Sequence, residues 1–95
     1  MRRGAVLVNI GEGLHVSPVT KALITRAPPS TMRRLGAKFA KYVRPNADVV
    51  DKSLKRVGVV YDVFGPVRRP YVAVRVTRGR PEDYVGKTLY VVSEV

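Results

Sequence analysis

Tyr61-Asp62-Val63-Phe64-Gly65-Pro66-Val67-Arg68-Arg69-Pro70-Tyr71-Val72 is the stretch on which the reading of this chain turns. An apolar strand pattern runs into it and another runs out. Pro66 and Pro70 have no backbone N–H to donate, so the connection does not continue a sheet ladder. It is also longer than the two-residue loop a tight hairpin prefers. Yet it carries Phe64, Val67 and Tyr71, side chains a solvated turn seldom needs. Such a stiff, apolar loop either caps its own core or meets another molecule. A cap would need little beyond Val67 and one aromatic. The fuller set, held between prolines, fits a preorganised docking surface, because rigidity lowers the ordering cost of binding and buried aromatics carry much of an interface's energy. That reading fails if Phe64, Val67 and Tyr71 all lie deep in the chain's own interior.

The flanking patterns are strands. Arg56 to Val63 places Val57, Val59, Tyr61 and Val63 on one face, with Val60 on the other. Tyr71 to Val76 turns Val72, Val74 and Val76 inward. Upstream, residues 5–10 read as a strand after a basic end, Met1-Arg2-Arg3. Gly11-Glu12-Gly13 reads as a bend or bulge and Leu14-His15-Val16 as resumed strand. Residues 20–26 form another strand, and residues 48–51 a short one. Downstream, Pro81-Glu82-Asp83 suits one helical turn, with proline and acids at its start. Leu89 to Val92 is the last strand.

Residues 31–43 follow a different period. Met32, Leu35, Phe39, Tyr42 and Val43 fall on one helical stripe, with Arg33, Arg34, Lys38, Lys41 and Arg44 opposite. Ser30 or Thr31 is placed to cap the start, and Pro45 stops the helix. Residues 26–44 hold six basic residues and no acid. A helix this short is marginal alone, so its apolar stripe must rest on the barrel or on a partner.

Six or seven short strands in 95 residues predict an all-β domain, a small closed barrel with one short basic helix inserted at 27–44 and an N-terminal extension over 1–9. An open SH3-like barrel is the nearest alternative on pattern alone. Closure removes sheet edges that would recruit other chains. The absence of glutamine and the wealth of arginine and valine lean towards a heat-adapted source.

The formal charge is +11, which favours anionic company, most often nucleic acid or a ribonucleoprotein. There is no cysteine, which excludes disulfides, thiolate zinc sites and cysteine nucleophiles. No apolar run approaches the roughly 20 residues that span a bilayer, and the N-terminal run is too short for a signal peptide, so an intracellular protein without a membrane partner is expected. His15 is the only histidine, and the seven carboxylates are scattered. Asp62 suits an Asx-type turn at the loop entrance better than general-base work. Neither a metal site nor a phosphate-cradling glycine motif is formed, so no enzyme and no cofactor are expected. The basic helix and the tyrosines leave open a direct RNA-binding barrel, such as a small ribosomal protein.

The loop also carries a resemblance. Val57-Gly58-Val59-Val60-Tyr61-Asp62-Val63-Phe64-Gly65-Pro66-Val67 followed by Pro70-Tyr71-Val72-Ala73-Val74 resembles the signature of the archaeal GAR-type core subunit of box H/ACA ribonucleoproteins. Ile10 to Val16, Ala22 to Arg26, Asn46 to Lys52 and the segments around Pro81 and Leu89 resemble that family's remaining strands. About two-thirds of the chain is covered. The resemblance implies a six-stranded barrel of the reductase/isomerase/elongation-factor type. It implies a non-catalytic subunit that docks on a dyskerin-type pseudouridine synthase and assists substrate RNA loading and product release in rRNA pseudouridylation. The family does so by holding a mobile loop of the synthase open, with mostly indirect contact to the guide RNA. Carried over, the protein-binding residues are Val63, Phe64, Gly65, Pro66, Val67, Pro70 and Tyr71. It further implies a cytoplasmic archaeal protein, or a nucleolar one in a eukaryote, although the arginine-glycine-rich tails of eukaryotic members do not appear in this sequence. Residues 1–9 and 27–43 depart from the compact archaeal pattern. The basic helix is therefore expected near RNA through Arg33, Arg34, Lys38 and Lys41.

Overall fold

The computed structural model describes residues 5–94, apart from the side chain of Glu94; the basic end Met1–Arg3 lies outside the described residues. Six strands run in the order β1 (Ala5–Val16), β2 (Leu23–Arg26), β3 (Asp48–Val50), β4 (Arg56–Phe64), β5 (Tyr71–Val76) and β6 (Thr88–Glu94). They close into an antiparallel barrel with neighbours β1-β2-β5-β4-β3-β6. Val8 and Ile10, Leu23, Val49, Val57 and Val60, Val72 and Val74, and Leu89 and Val91 fill the interior from all six strands. A chain this short buries enough apolar surface only if every strand contributes inward side chains.

The expected N-terminal extension is in part barrel, since residues 5–9 form the first half of β1 and pair with β6. Of the bend or bulge expected at Gly11-Glu12-Gly13, the structure has the bulge, and the strand is not interrupted. β1 continues through it with register shifts between Asn9 and Gly11 and between Gly13 and His15. Gly11 takes φ 97°, its N–H donates to Asn9 Oδ1 at 2.8 Å, and a Cβ there would collide with the Arg26 carbonyl. The bulge bends one long strand so that it serves both β6 and β2. β2 is shorter than the expected 20–26, because residues 17–22 form a turn in which Ser17 N–H donates to Ala22 O and Lys21 N–H to Ser17 O.

In β4 the alternation departs from strict period two. Register shifts opposite Val49/Val50 and between Val60 and Asp62 put Val57 and Val60 inside, and leave Tyr61 out. Tyr61, which the alternation puts on one face with Val57 and Val59, is instead 43% exposed and lies under the Arg75 guanidinium at 4.8 Å. Pro81–Tyr84 forms the expected single turn, here a 3-10 turn, with Asp83 Oδ2 accepting from Arg80 N–H at 3.2 Å.

The inserted helix is present but broken. α1 (Pro29–Leu35) ends at Gly36, a 3-10 turn covers Gly36–Lys38, and α2 (Phe39–Tyr42) follows. Neither Ser30 nor Thr31 caps it. Pro28 is the N-cap and Pro29 occupies the first turn, where its missing N–H costs nothing. The buried Thr31 hydroxyl instead donates to Asn9 O at 2.7 Å, pinning the insertion to β1. Phe39 and Val43 enter the core, and Met32, Leu35 and Tyr42 pack against it. The apolar stripe thus closes one end of the barrel.

Candidate docking surface

β4 and β5 are joined by residues 65–70, and the last rung of their ladder is Phe64 opposite Tyr71. The two rings stack with centroids 5.5 Å apart and planes 18° from parallel. Tyr71 is also paired across β5 and β2 with Arg26, whose guanidinium sits 4.9 Å from the ring centroid. Arg26, Tyr71 and Phe64 therefore form one row across three strands on the outer face of the barrel. Its lower edge is a small apolar cluster of Ala22, Ile24 and Ala73. Stacked rings and a guanidinium over an aromatic face contribute beyond the area they bury.

The loop beyond that row is braced. Gly65 adopts φ 90°, and a Cβ there would stand 2.8 Å from Tyr71 Cδ2, so glycine is required by backbone and ring together. Arg69 N–H donates to Pro66 O at 3.1 Å and closes a turn. Ala27 N–H donates to Pro70 O at 3.0 Å, Arg69 Nε donates to Ala27 O at 2.9 Å, and Arg26 Nε donates to Arg69 O at 3.4 Å. These bonds clamp the loop to the junction between β2 and the insertion. Asp62 Oδ1 accepts from the neighbouring Val63 N–H at 2.9 Å at the loop entrance.

The seven residues carried over from the resemblance gather at this one end of the hairpin, but not in one role. Phe64 is 43% and Val67 89% exposed, Gly65 and Pro66 are exposed, and Tyr71 is half-buried within its stack. Val63 is half-buried and packs on the core, while Pro70 is buried and presents its carbonyl to Ala27. Pro70 and Val63 therefore hold the surface up from beneath.

Beside the loop the structure opens a groove of about 200 Å³ that the residue pattern did not foretell. Val63, Phe64, Gly65, Val67 and Pro70 form one wall and Met32, Gly36, Ala37, Phe39 and Ala40 of the insertion the other. Its signal in the sequence is faint: small residues at 36, 37 and 40 beside the helical stripe. Arg26 was likewise invisible as part of the site, because only the register sets it against Tyr71.

Arg33, Arg34, Lys38 and Lys41 are all exposed on the insertion. Among the described residues the ion pairs are Arg56–Asp48 at 3.3 Å and Arg80–Asp83 at 3.9 Å, and neither involves the insertion. Arg34 reaches back to Leu7 O at 3.4 Å. His15 is exposed in β1, and among the described residues no three His, Asp or Glu side chains gather where a metal could be held. No helix among them is long and apolar enough to cross a membrane.

No family model matches the chain. A protein of the archaeon Methanothermobacter thermautotrophicus, named only as uncharacterized, is 37% identical over 75 residues, 75% of this chain and 82% of the relative. The chain belongs to that protein's family. With so much of both chains aligned, the relative is of comparable length, and its name assigns no activity to either.

Proposed function

We propose that this protein is a non-catalytic subunit of an H/ACA-type ribonucleoprotein, docking on a dyskerin-type pseudouridine synthase in an archaeal cytoplasm. The observation that carries this is the braced loop, which leaves Phe64 and Val67 at the surface while every other large apolar side chain of the β4–β5 hairpin except Tyr61 is at least half-buried. The Gly65-Pro66-Val67 turn and the Pro70-Tyr71 exit that support it are the residues of the resemblance. A subunit of this kind biases a synthase lid by binding one lid state better than the other, so its contact includes the mobile loop. It contributes no reactive group; chemistry stays with the synthase, and the subunit acts on loading and release of RNA.

Titration calorimetry against the synthase tests the reading. Replacing Phe64→Ala together with Tyr71→Ala weakens binding by well over about 1 kcal/mol, as truncated interface anchors do. Unchanged affinity in a folded double variant overturns the docking reading.

The exposed basic face of the insertion favours a second reading, a barrel that binds RNA directly. Specific association of the isolated chain with structured RNA at moderate salt supports that one. Under the docking reading only weak, salt-sensitive attraction is expected.

A further inference from the structure

We infer that the groove between the insertion and the β4–β5 loop receives one apolar side chain of the partner protein, presented on a segment with carboxylates on either side. The inference rests on the docking reading and names what that surface grips. Three observations define the occupant. The groove is about 200 Å³, below the range of about 300–1,000 Å³ typical of small-molecule sites and of a size to receive one large apolar side chain. Its lining is predominantly apolar: Met32, Ala37, Phe39, Ala40, Phe64 and Val67 converge on it. The segments that supply its two walls, residues 29–44 and 63–71, contain Arg33, Arg34, Lys38, Lys41, Arg44, Arg68 and Arg69 and no acidic residue.

Charge decides among candidate occupants. A second copy of this chain brings another +11 towards wall segments that are basic and hold no acid, which opposes self-association. Residues Met1-Arg2-Arg3-Gly4 carry two further positive charges and suit those basic segments no better. A partner segment with an apolar anchor and flanking Asp or Glu suits both the apolar lining and the net charge of the segments that supply it. Both walls are held before binding. Phe39 anchors one in the core, and the Arg69–Ala27 hydrogen bond ties the other to the base of the first. A preorganised cleft of this kind spends little on ordering.

The insertion is thereby a second half of the docking surface, which separates this proposal from the loop alone. The test uses the full chain and the synthase, with Ala37→Gln/Ala40→Gln and Ala37→Glu/Ala40→Glu as paired variants. Both positions are exposed, and all four substituents are good helix formers, so circular dichroism should show the fold retained. Affinity is expected to fall about tenfold for the Gln pair and further for the Glu pair, whose carboxylates repel the flanking acids. Equal losses in the two pairs overturn the acidic segment. Wild-type affinity in both pairs, with the Phe64→Ala/Tyr71→Ala variant impaired, overturns the groove and leaves the docking reading standing. Wild-type affinity in all three variants overturns both. Variants that keep the synthase but lose RNA from the assembled particle assign the groove to RNA and overturn the proposal.

Discussion

The insertion and the β4–β5 loop are built alike and fold oppositely. Each interrupts the sheet, each is bounded by prolines, and each carries bulky apolar side chains among arginines. The insertion sends Phe39 and Val43 into the barrel, where they are 3% and 2% exposed. The loop and the strand end that feeds it leave Val67 89% and Phe64 43% exposed. Length makes the difference. A connection running from residue 27 to 47 has room for two helical pieces that double back over the barrel end. Six residues between paired strands have none, and their side chains go wherever the last rung of the ladder points. An apolar residue in a connection therefore reports on the core only when the connection is long enough to return to it.

If that contrast is right, mutations on the two sides separate cleanly into stability and binding. Phe39→Ala is expected to cost about 3–5 kcal/mol in chemical denaturation, the usual range for emptying an aromatic site in a core. A loss below about 1 kcal/mol would make the insertion a dispensable lid and erase the contrast. Gly65→Ala forces a side chain into positive φ and against the Tyr71 ring, for an expected loss of about 1–3 kcal/mol. Its synthase affinity should fall as well, because the loop is displaced. Thr31→Val removes the hydroxyl that pins the insertion to Asn9 O and should lower stability by about 1 kcal/mol. The smallest stability effect belongs to the basic face. Changing Arg33, Arg34, Lys38 and Lys41 together to Gln should leave the unfolding free energy within about 0.5 kcal/mol. The same variant should flatten the salt dependence of RNA association by the assembled particle. Identical salt slopes would reject an RNA role for that face.

The barrel was legible because its strands are rich in valine and its breaks are marked by proline and glycine. Even the helical stripe at 32, 35, 39, 42 and 43 was readable, since burial of Phe39 and Val43 depends only on periodicity. Local irregularities were not. Gly11-Glu12-Gly13 left bend and bulge open, and only the pairing with β6 and β2 shows one strand running through. Tyr61 shares a face with Val57 and Val59 in the alternation until one extra residue in β4 turns it out. Gly36 at φ 53° divides the helix at a position where the hydrophobic stripe gives no sign of a break. Of the candidate surface, Phe64, Val67 and Tyr71 could be named from the chain alone. Arg26, Ala37 and Ala40 could not, because each joins the surface through tertiary register and not through its own neighbours.

Closure of the ring carries one more consequence. Ala5 lies opposite Glu94 where β1 meets β6, so a few linking residues would splice the two together. The chain could then be reopened at the exposed Pro18–Lys21 turn without cutting a strand. A rearranged chain of that kind should fold to the same barrel and present the same loop, leaving new ends available as attachment points for reporters.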